Sequence, residues 1–176
     1  MMVIMESRDD PWNDDELEDM LHDADGDFTP PISQRGGYKH DFDNDVVPND
    51  GITAYMDSLR DNPGLSLLTM RTMDGAPVAK TLVEREDKRI YIALMLTGAR
   101  WRGLGAMGLM YGELESLSHD DGIPLSLRIS SDNDTQRHIL DDRGWVLDHA
   151  IMNHRGDGIV TFLVINHIKP KSTRTS

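Results

Sequence analysis

The chain has 176 residues, with 31 acidic and 18 basic side chains, a net charge of -13 and no cysteine. This length suits a single domain with a sizeable core, and the negative charge argues against direct binding to nucleic acid. The lack of cysteine excludes disulfide bonds, thiolate metal ligands and a cysteinyl covalent intermediate. The sequence contains no apolar run long enough to cross a bilayer. We therefore expect a cytoplasmic protein, or one held in a larger assembly, that does not contact membranes.

The negative charge is concentrated near the N-terminus. Residues 1–50 carry 15 of the 31 acidic residues and 3 of the 18 basic ones. Three apolar side chains at helical spacing predict a short amphipathic helix over residues 15–22. We predict that residues 1–50 form an acidic arm and linker, with a short edge strand near residues 38–43. This arm is either disordered or ordered by a protein partner that docks on residues 12–22.

Aspartates alternate at positions 23, 25 and 27, as they do in calcium-binding loops. Such a loop also needs a glycine and a final glutamate, and Phe28 and Gln34 stand at those two positions. Asp41, Asp43 and Asp45 repeat the alternation, but Val46 stands at the position of the glycine. We therefore predict no metal site.

The rest of the chain alternates between helical and extended patterns. The predicted elements are helix 51–62, strands 65–72, 77–85 and 89–96, helix 104–119, strand 124–130, helix 132–142, and strands 145–153 and 159–168. Ser131 is the predicted N-cap of the third of these helices. This order predicts one α+β domain over residues 51–168, followed by a basic, flexible tail over 169–176.

A glycine-rich turn joins the strand at 89–96 to the next helix. It reads Arg-Trp-Arg-Gly-Leu-Gly from Arg100 to Gly105. Two glycines one residue apart allow backbone N–H groups to converge, and the helix N-terminus adds its positive dipole. The turn is therefore either an anion-binding site or simply a tight connection.

Two motifs on these elements resemble those of the GNAT superfamily of acyl-CoA-dependent N-acyltransferases. Arg100, Gly103 and Gly105 match the family's pyrophosphate loop, and a second pattern places an asparagine eleven residues before Gly-Phe. Asn133, Gly144 and Trp145 occupy those positions. The resemblance covers about residues 51–168. It implies a mixed, mostly antiparallel twisted sheet of about six strands flanked by helices.

The resemblance also implies a binding site for acetyl-CoA or another acyl-CoA. The cofactor would enter a gap between the strands at 89–96 and 124–130, and its pantetheine arm would pair with the strand near Met95 and contact Asn133. Its diphosphate would bind at the glycine-rich turn. The residues implied there are Arg100, Arg102, Gly103, Leu104, Gly105 and Ala106.

The resemblance is weaker for the residues of catalysis. The family's helix tyrosine corresponds to Leu140, which has no hydroxyl, and the family's early-strand glutamate falls near Arg89. Tyr91 is then the candidate catalytic residue, on the predicted strand face shared by Arg89, Ala93 and Met95. The alternatives are that Tyr91 is only packed there, or that His149 or Glu84 approaches the gap.

Two functions remain open from the sequence. The first is an acetyl-CoA-dependent N-acyltransferase that transfers an acyl group to a primary amine by direct attack. The second is a catalytically inactive protein of the same fold. Such a protein would be a binding or structural component of a larger assembly, for example a phage or mobile-element particle, or of a homo-oligomer.

Overall fold

The computed structural model describes residues 2–27, 51–155 and 158–167. The predicted edge strand at 38–43 and the tail at 169–176 lie outside these residues. Within them, the predicted α+β architecture is confirmed: a mostly antiparallel sheet is flanked by helices.

The sheet has seven strands in the described part of the chain, in the order β1-β2-β3-β4-β5-β7-β6. All neighbours are antiparallel except β4 and β5, which are parallel. The strands are β1 (Val3–Arg8), β2 (Leu65–Thr72), β3 (Pro77–Arg85), β4 (Ile90–Thr97), β5 (Leu125–Ser130), β6 (Val146–Arg155) and β7 (Gly158–Asn166). The strand beyond the predicted six is β1, which we did not predict.

Four α-helices occur in the same residues. They are α1 (Asp15–Ala24), α2 (Gly51–Ser58), α3 (Ala106–Asp121) and α4 (Asp134–Asp142), with short 3-10 turns at Pro11–Asn13, Asp25–Asp27, Leu59–Asp61 and Ala99–Trp101. The N-cap of α4 is Asn133 and not the predicted Ser131, because the Asn133 Oδ1 atom accepts a hydrogen bond from the Gln136 N–H at 3.2 Å. An asparagine in this position satisfies one of the free amides of the first turn.

Helices cover both faces of the sheet and bury two separate apolar cores. The first core joins α3 and α4 to one face, and includes Ile90, Ile92, Met110, Leu114 and Leu127. The second core joins α1 and α2 to the other face, and includes Leu17, Leu21, Leu67, Leu82 and Leu94. Each fully buried side chain of this kind contributes about 1.5–3 kcal/mol of transfer free energy to folding.

Residues 3–27 belong to the sheet and the second core, which differs from the arm that we predicted. Strand β1 pairs with β2 along its full length, from Val3 opposite Thr72 to Arg8 opposite Leu67. In α1, the Leu17 and Leu21 side chains are 0% exposed. The apolar spacing that predicted a docking helix is therefore the spacing of a helix that packs on its own sheet.

A buried lysine fixes the start of α1 to the sheet. Lys80 of β3 is 0% exposed, and its Nζ atom lies 3.1 Å from Asp14 Oδ1 and 2.9 Å from Thr69 Oγ1. Asp14 is the N-cap of α1, and its Oδ1 atom also accepts a hydrogen bond from the Leu17 N–H at 2.7 Å. The acidic residues at the N-terminus therefore include the counter-ion of a cation inside the fold.

Candidate functional site

Strands β4 and β5 pair only at their beginning. Three residue pairs join them, and the last is Ile92 with Leu127; beyond it no pair joins the two strands in the described chain. The strands separate from this point and leave a cavity of about 880 Å³ between them. We call this cavity the slot. Its position agrees with the gap that the sequence resemblance implied.

A β-bulge in β4 lies at the point where the strands separate. Leu82 of β3 is opposite Leu94, but the adjacent Val83 is opposite Ile92, so Ala93 has no partner on β3. Ala93 also follows the last pair with β5. A bulge of this kind leaves a backbone N–H and C=O group outside the ladder. The backbone at Ala93 is therefore available for hydrogen bonds at the edge of the slot.

The bulge reverses which face each later residue of β4 occupies. Before it, Ile92 packs in the first core; after it, Leu94 packs in the second core and Met95 packs against the first. Our prediction that Tyr91 and Met95 share one face is therefore wrong. The extra residue at Ala93 shifts the alternation by one position, which a simple period of two does not include.

The far end of the slot is formed by the turn that we call the glycine loop, residues 98–105. Gly103 and Gly105 have φ angles of +74° and +81°, a left-handed conformation that favours glycine. A side-chain Cβ at either position would meet no protein atom within 4 Å, so space lies in front of both. The first helical hydrogen bond is made by the Leu109 N–H, which donates to the Gly105 carbonyl at 3.1 Å.

The three amides before Leu109 in α3 have no helical acceptor, as at any helix start. They belong to Ala106, Met107 and Gly108, and all three residues line the slot. Backbone donors and the positive end of the helix dipole favour an anion at this place. Thr97 also lines the slot, but its hydroxyl is buried and has no hydrogen-bond partner among the described residues.

The slot brings together most of the residues that the sequence assigned to cofactor binding. Its lining includes Met95, Arg102, Gly103, Gly105, Ala106 and Asn133, and the candidate catalytic residue Tyr91. Arg100 and Leu104 do not line it. The Arg100 guanidinium stacks instead on the Trp101 ring, 5.1 Å from its centroid, and Leu104 is exposed.

Arg102 of the glycine loop forms an ion pair with Asp27, which lies in the 3-10 turn that follows α1. The Arg102 Nη2 atom lies 2.9 Å from Asp27 Oδ2, and both residues line the slot. This ion pair places an acidic side chain of the N-terminal region beside the end of the slot that the glycine loop forms.

A hydrogen-bonded chain of side chains supports the wall formed by α4. The Asn133 Nδ2 atom donates to Gln136 Oε1 at 3.1 Å, and Gln136 Nε2 donates in turn to the Tyr111 hydroxyl oxygen. Burial raises the pKa of Tyr111 to about 12, so this hydroxyl keeps its proton at neutral pH. Gln136 lines the slot, and sequence analysis missed it. Its position three residues after Asn133, on the same helix face, is the signal that could have found it.

Leu140 offers the slot no polar group. Its side chain is 0% exposed and packs in the first core, and it does not line the cavity. The other alternative candidates also lie away from the slot lining. His149 is exposed on β6 with its Nδ1 atom 2.8 Å from Asp148 Oδ2, and Glu84 is opposite Tyr91 on β3.

Tyr91 lies between two arginines on the face of the sheet that α1 and α2 cover. The Arg89 and Arg128 Cζ atoms are 5.4 Å and 5.7 Å from the centroid of its ring. Arg89 is held by Glu86, whose Oε2 atom is 2.6 Å from Arg89 Nε. This contact raises the pKa of Arg89 and lowers the pKa of Glu86, because each charge stabilises the other.

The described residues give two further findings about ligands and membranes. They contain no group of three or more histidine, aspartate or glutamate side chains placed to hold a metal ion. None of the helices among them combines the length and the apolar character needed to cross a bilayer.

The fold and the slot place this structure in a known class: it has the fold of the GNAT acetyltransferases. An acetyltransferase of the GNAT family from Streptococcus pneumoniae matches with a TM-score of 0.57 and 11% identity, over 94% of this chain and 99% of that chain. The ribosomal-protein-S18-alanine N-acetyltransferase from Escherichia coli matches with a TM-score of 0.63 and 13% identity, over 94% and 92%.

A third similar structure, from Salmonella typhimurium, contains acetyl-CoA as its cofactor. It matches with a TM-score of 0.61 and 10% identity, over 100% of this chain and 99% of that chain. No protein-family model matches the present sequence, and no curated protein matches it. At these identities the similarity establishes the fold, and it confirms at that level the resemblance found in the sequence.

Proposed function

We propose that this protein is an acyl-CoA-dependent N-acyltransferase that transfers an acyl group, from acetyl-CoA or a related thioester, to an amine. The observation that carries the proposal is the slot, which opens at an unpaired bulge in β4 and ends on the free amides at the start of α3. A long ligand with a peptide-like arm and a diphosphate matches those two ends.

The residues that are present fit such a ligand. Gly103 and Gly105 leave open space in front of the backbone, and the amides of Ala106, Met107 and Gly108 supply donors for the diphosphate. The side-chain amide of Asn133, which lines the slot, would serve the pantetheine arm. When bound, the thioester supplies an activated acyl group, and the free backbone at Ala93 would polarise its carbonyl.

The remaining chemistry requires a place for the amine and an acceptor for its proton. The chain has no cysteine, so transfer proceeds without a cysteinyl intermediate. Tyr91 is the polar side chain that lines the slot just before the bulge, and we assign its hydroxyl to proton transfer from the amine to water. Holding the thioester and the amine side by side at the bulge would supply much of the rate enhancement.

The test is the affinity of the protein for acetyl-CoA, measured by isothermal titration calorimetry for the wild type, Gly105→Val and Gly75→Val. Both glycines have positive φ and open space around them, but Gly75 lies in the turn between β2 and β3. Both substitutions therefore carry a similar conformational cost, about 1–2 kcal/mol or more for a β-branched residue. We expect Gly105→Val to weaken acetyl-CoA binding at least tenfold, and Gly75→Val to leave it unchanged.

Two outcomes would contradict the proposal. The first is wild-type protein that does not bind acetyl-CoA at millimolar concentration. The second is equal affinity in both variants. Binding of acetyl-CoA without transfer of its acyl group to any amine, and so without release of free coenzyme A, would favour the alternative, an inactive protein of this fold in a larger assembly.

A further inference from the structure

An arginine without an acidic partner stands at the point where the slot opens. Seven arginines of the described chain form ion pairs with carboxylates; they are Arg8, Arg71, Arg85, Arg89, Arg102, Arg137 and Arg143. Arg128 of β5 lines the slot; no described carboxylate lies within 4.0 Å of its guanidinium, and the charge of Glu86 interacts with it only at longer range. In a chain with 31 acidic and 18 basic residues, a cation left in this state is available to an external anion.

The sheet register fixes where Arg128 stands. Ile92 of β4 is paired with Leu127 of β5, so the next residues along the two strands are Ala93 and Arg128. These two residues begin the opposite walls of the slot. Arg128 therefore lies at the same level as the bulge, where the thioester carbonyl would be placed.

Arg128 also shares a face with Tyr91. In β5, Leu125, Leu127 and Ile129 pack in the first core, so Arg128 is on the opposite face. Its guanidinium is 5.7 Å from the centroid of the Tyr91 ring on that same face. The buried Ser126 hydroxyl, two residues earlier on β5 and opposite Tyr91 in the register, has no hydrogen-bond partner among the described residues.

Distance separates this cation from the diphosphate end of the slot. Thr97 is four residues after Ala93 in β4, which is about 13 Å at the usual rise of a strand, and the glycine loop begins only after Thr97. A phosphate held by the amides of α3 would not reach Arg128. The charge of Glu86 interacts with that of Arg128, but Glu86 is already ion-paired with Arg89.

We propose that Arg128 binds a carboxylate of the acceptor, so that the acceptor is an amino acid or another amine with a carboxylate only a few bonds from its nitrogen. This inference rests on the proposed function for its reaction, and it adds the class of acceptor. Arg128 is then a specificity-determining residue. A planar guanidinium suits a carboxylate because two parallel N–H groups can donate to its two oxygens.

The test compares a panel of L-amino acids, each beside its neutral carboxamide, as acceptors for acetyl-CoA. Released coenzyme A is measured with a thiol reagent, and the chain itself contributes no signal because it has no cysteine. The enzymes are wild type, Arg128→Gln, Arg128→Lys, and the control Arg137→Gln, whose residue lies on α4 outside the slot lining. The quantity compared is the ratio of kcat/KM for acid to amide. An amino acid and its carboxamide differ in the basicity of their amines. This difference is the same for every enzyme variant, so a change in the ratio between variants comes from the protein.

We expect this ratio to fall about tenfold or more in Arg128→Gln, with partial recovery in Arg128→Lys, no change in Arg137→Gln and an unchanged KM for acetyl-CoA. A ratio that Arg128→Gln leaves unchanged, or a wild-type preference for the carboxamides, would overturn the inference.

A second measurement separates this inference from the proposed function. Saturation-transfer NMR follows direct binding of the same amino acids to protein that is saturated with coenzyme A. Binding that depends on Arg128, without any release of coenzyme A from acetyl-CoA, would support the carboxylate site and refute the transferase activity. Absence of both turnover and amino-acid binding would overturn the carboxylate site, whatever the affinity for acetyl-CoA.

Discussion

Tyr91 illustrates how the surroundings of one residue decide between a packing role and a chemical one. The ring lies between the Arg89 and Arg128 guanidinium groups, which contact it through cation–π interactions. These contacts explain the position of the ring. They do not involve the hydroxyl, to which we assign the proton transfer.

We predict that Tyr91→Phe lowers kcat about 100-fold, because the ring contacts remain and only the proton-transferring hydroxyl is lost. The KM for acetyl-CoA should not change. Steady-state kinetics would measure both, with Tyr55→Phe as the control, since Tyr55 packs beside the second core and does not line the slot. An unchanged kcat in Tyr91→Phe would show that this tyrosine is only packed.

Asp14 and Lys80 form a buried ion pair. Removing one of its two charges changes the free energy of unfolding more than removing one charge of an exposed pair. Both side chains are buried, and Asp14 also accepts a hydrogen bond from the Leu17 N–H and one from Arg8 Nη1 at 3.2 Å. Burial makes the loss of one partner costly, since the other charge is left without its counter-ion.

We predict that Asp14→Asn lowers the free energy of unfolding by about 3 kcal/mol or more. The variant keeps an oxygen for the helix cap but leaves the Lys80 charge with only the more distant Glu16, 3.4 Å away. Urea unfolding would measure the change. The double variant Asp14→Asn with Lys80→Met should be more stable than the sum of the two single effects implies. A loss below 1 kcal/mol in Asp14→Asn would contradict the prediction.

At the scale of elements, α1 is fixed to the sheet by charge as well as by packing. Arg71 of β2 reaches both carboxylate oxygens of Glu16, with Nη2 2.5 Å from Oε1 and Nη1 3.0 Å from Oε2. The hydrogen bond from Arg71 is the main cause that lowers the pKa of Glu16 to about 2. Glu16 is partly exposed, so solvent weakens the effect on stability.

The lowered pKa of Glu16 predicts how the free energy of unfolding depends on pH in the acidic range. Its pKa is lower in the folded state than the ordinary value of 4.5, so its contribution is complete above about pH 4.5 and is lost as pH falls toward 2. We expect Glu16→Gln to unfold in urea with a flatter dependence on pH over this range. Asp19→Asn, an exposed position on the same helix, should keep the wild-type slope. Identical slopes in the wild type and Glu16→Gln would exclude this source of acid sensitivity.

Strand β4 shows why an element can be found in the sequence while its side-chain directions are not. The apolar run around residues 90–96 predicts the strand itself. The bulge at Ala93 depends on pairing with β3, and Ala is not a residue that marks a bulge. The prediction for Tyr91 and Met95 failed for that reason.

For the whole molecule, the N-terminal region closes the fold. Strand β1 covers the edge of β2, and α1 covers part of the second core, so without them the sheet would lose one edge strand and one of the two helices on that face. The negative charge of this region made an external arm the natural interpretation. Its acidic residues are in part used internally, by Lys80, Arg71 and Arg102.

We predict that a chain lacking residues 1–27 does not unfold cooperatively, because the Leu67, Leu82 and Leu94 side chains would be exposed on one face of the sheet. Thermal melts followed by circular dichroism would test this. Leu21→Ala, which removes one buried side chain of α1, should lower the free energy of unfolding by about 2–5 kcal/mol, and the exposed Asp19→Ala by less than 0.5 kcal/mol. A truncated chain with the wild-type melting temperature would restore the interpretation of a separate arm.

The sequence by itself determined the elements from residue 51 onward, the glycine loop and the fold class, because apolar periodicity, turn residues and a short motif are local properties. Asn133, Gly103 and Gly105 were predicted in this way, and all three line the slot. The tertiary structure alone decided that β1 and α1 complete the domain, that Ala93 bulges, and that Arg128 faces Tyr91 without an acidic partner among the described residues. These features depend on pairing between residues far apart in the chain. Composition and spacing do not determine which strands pair with each other or which charged side chains form ion pairs.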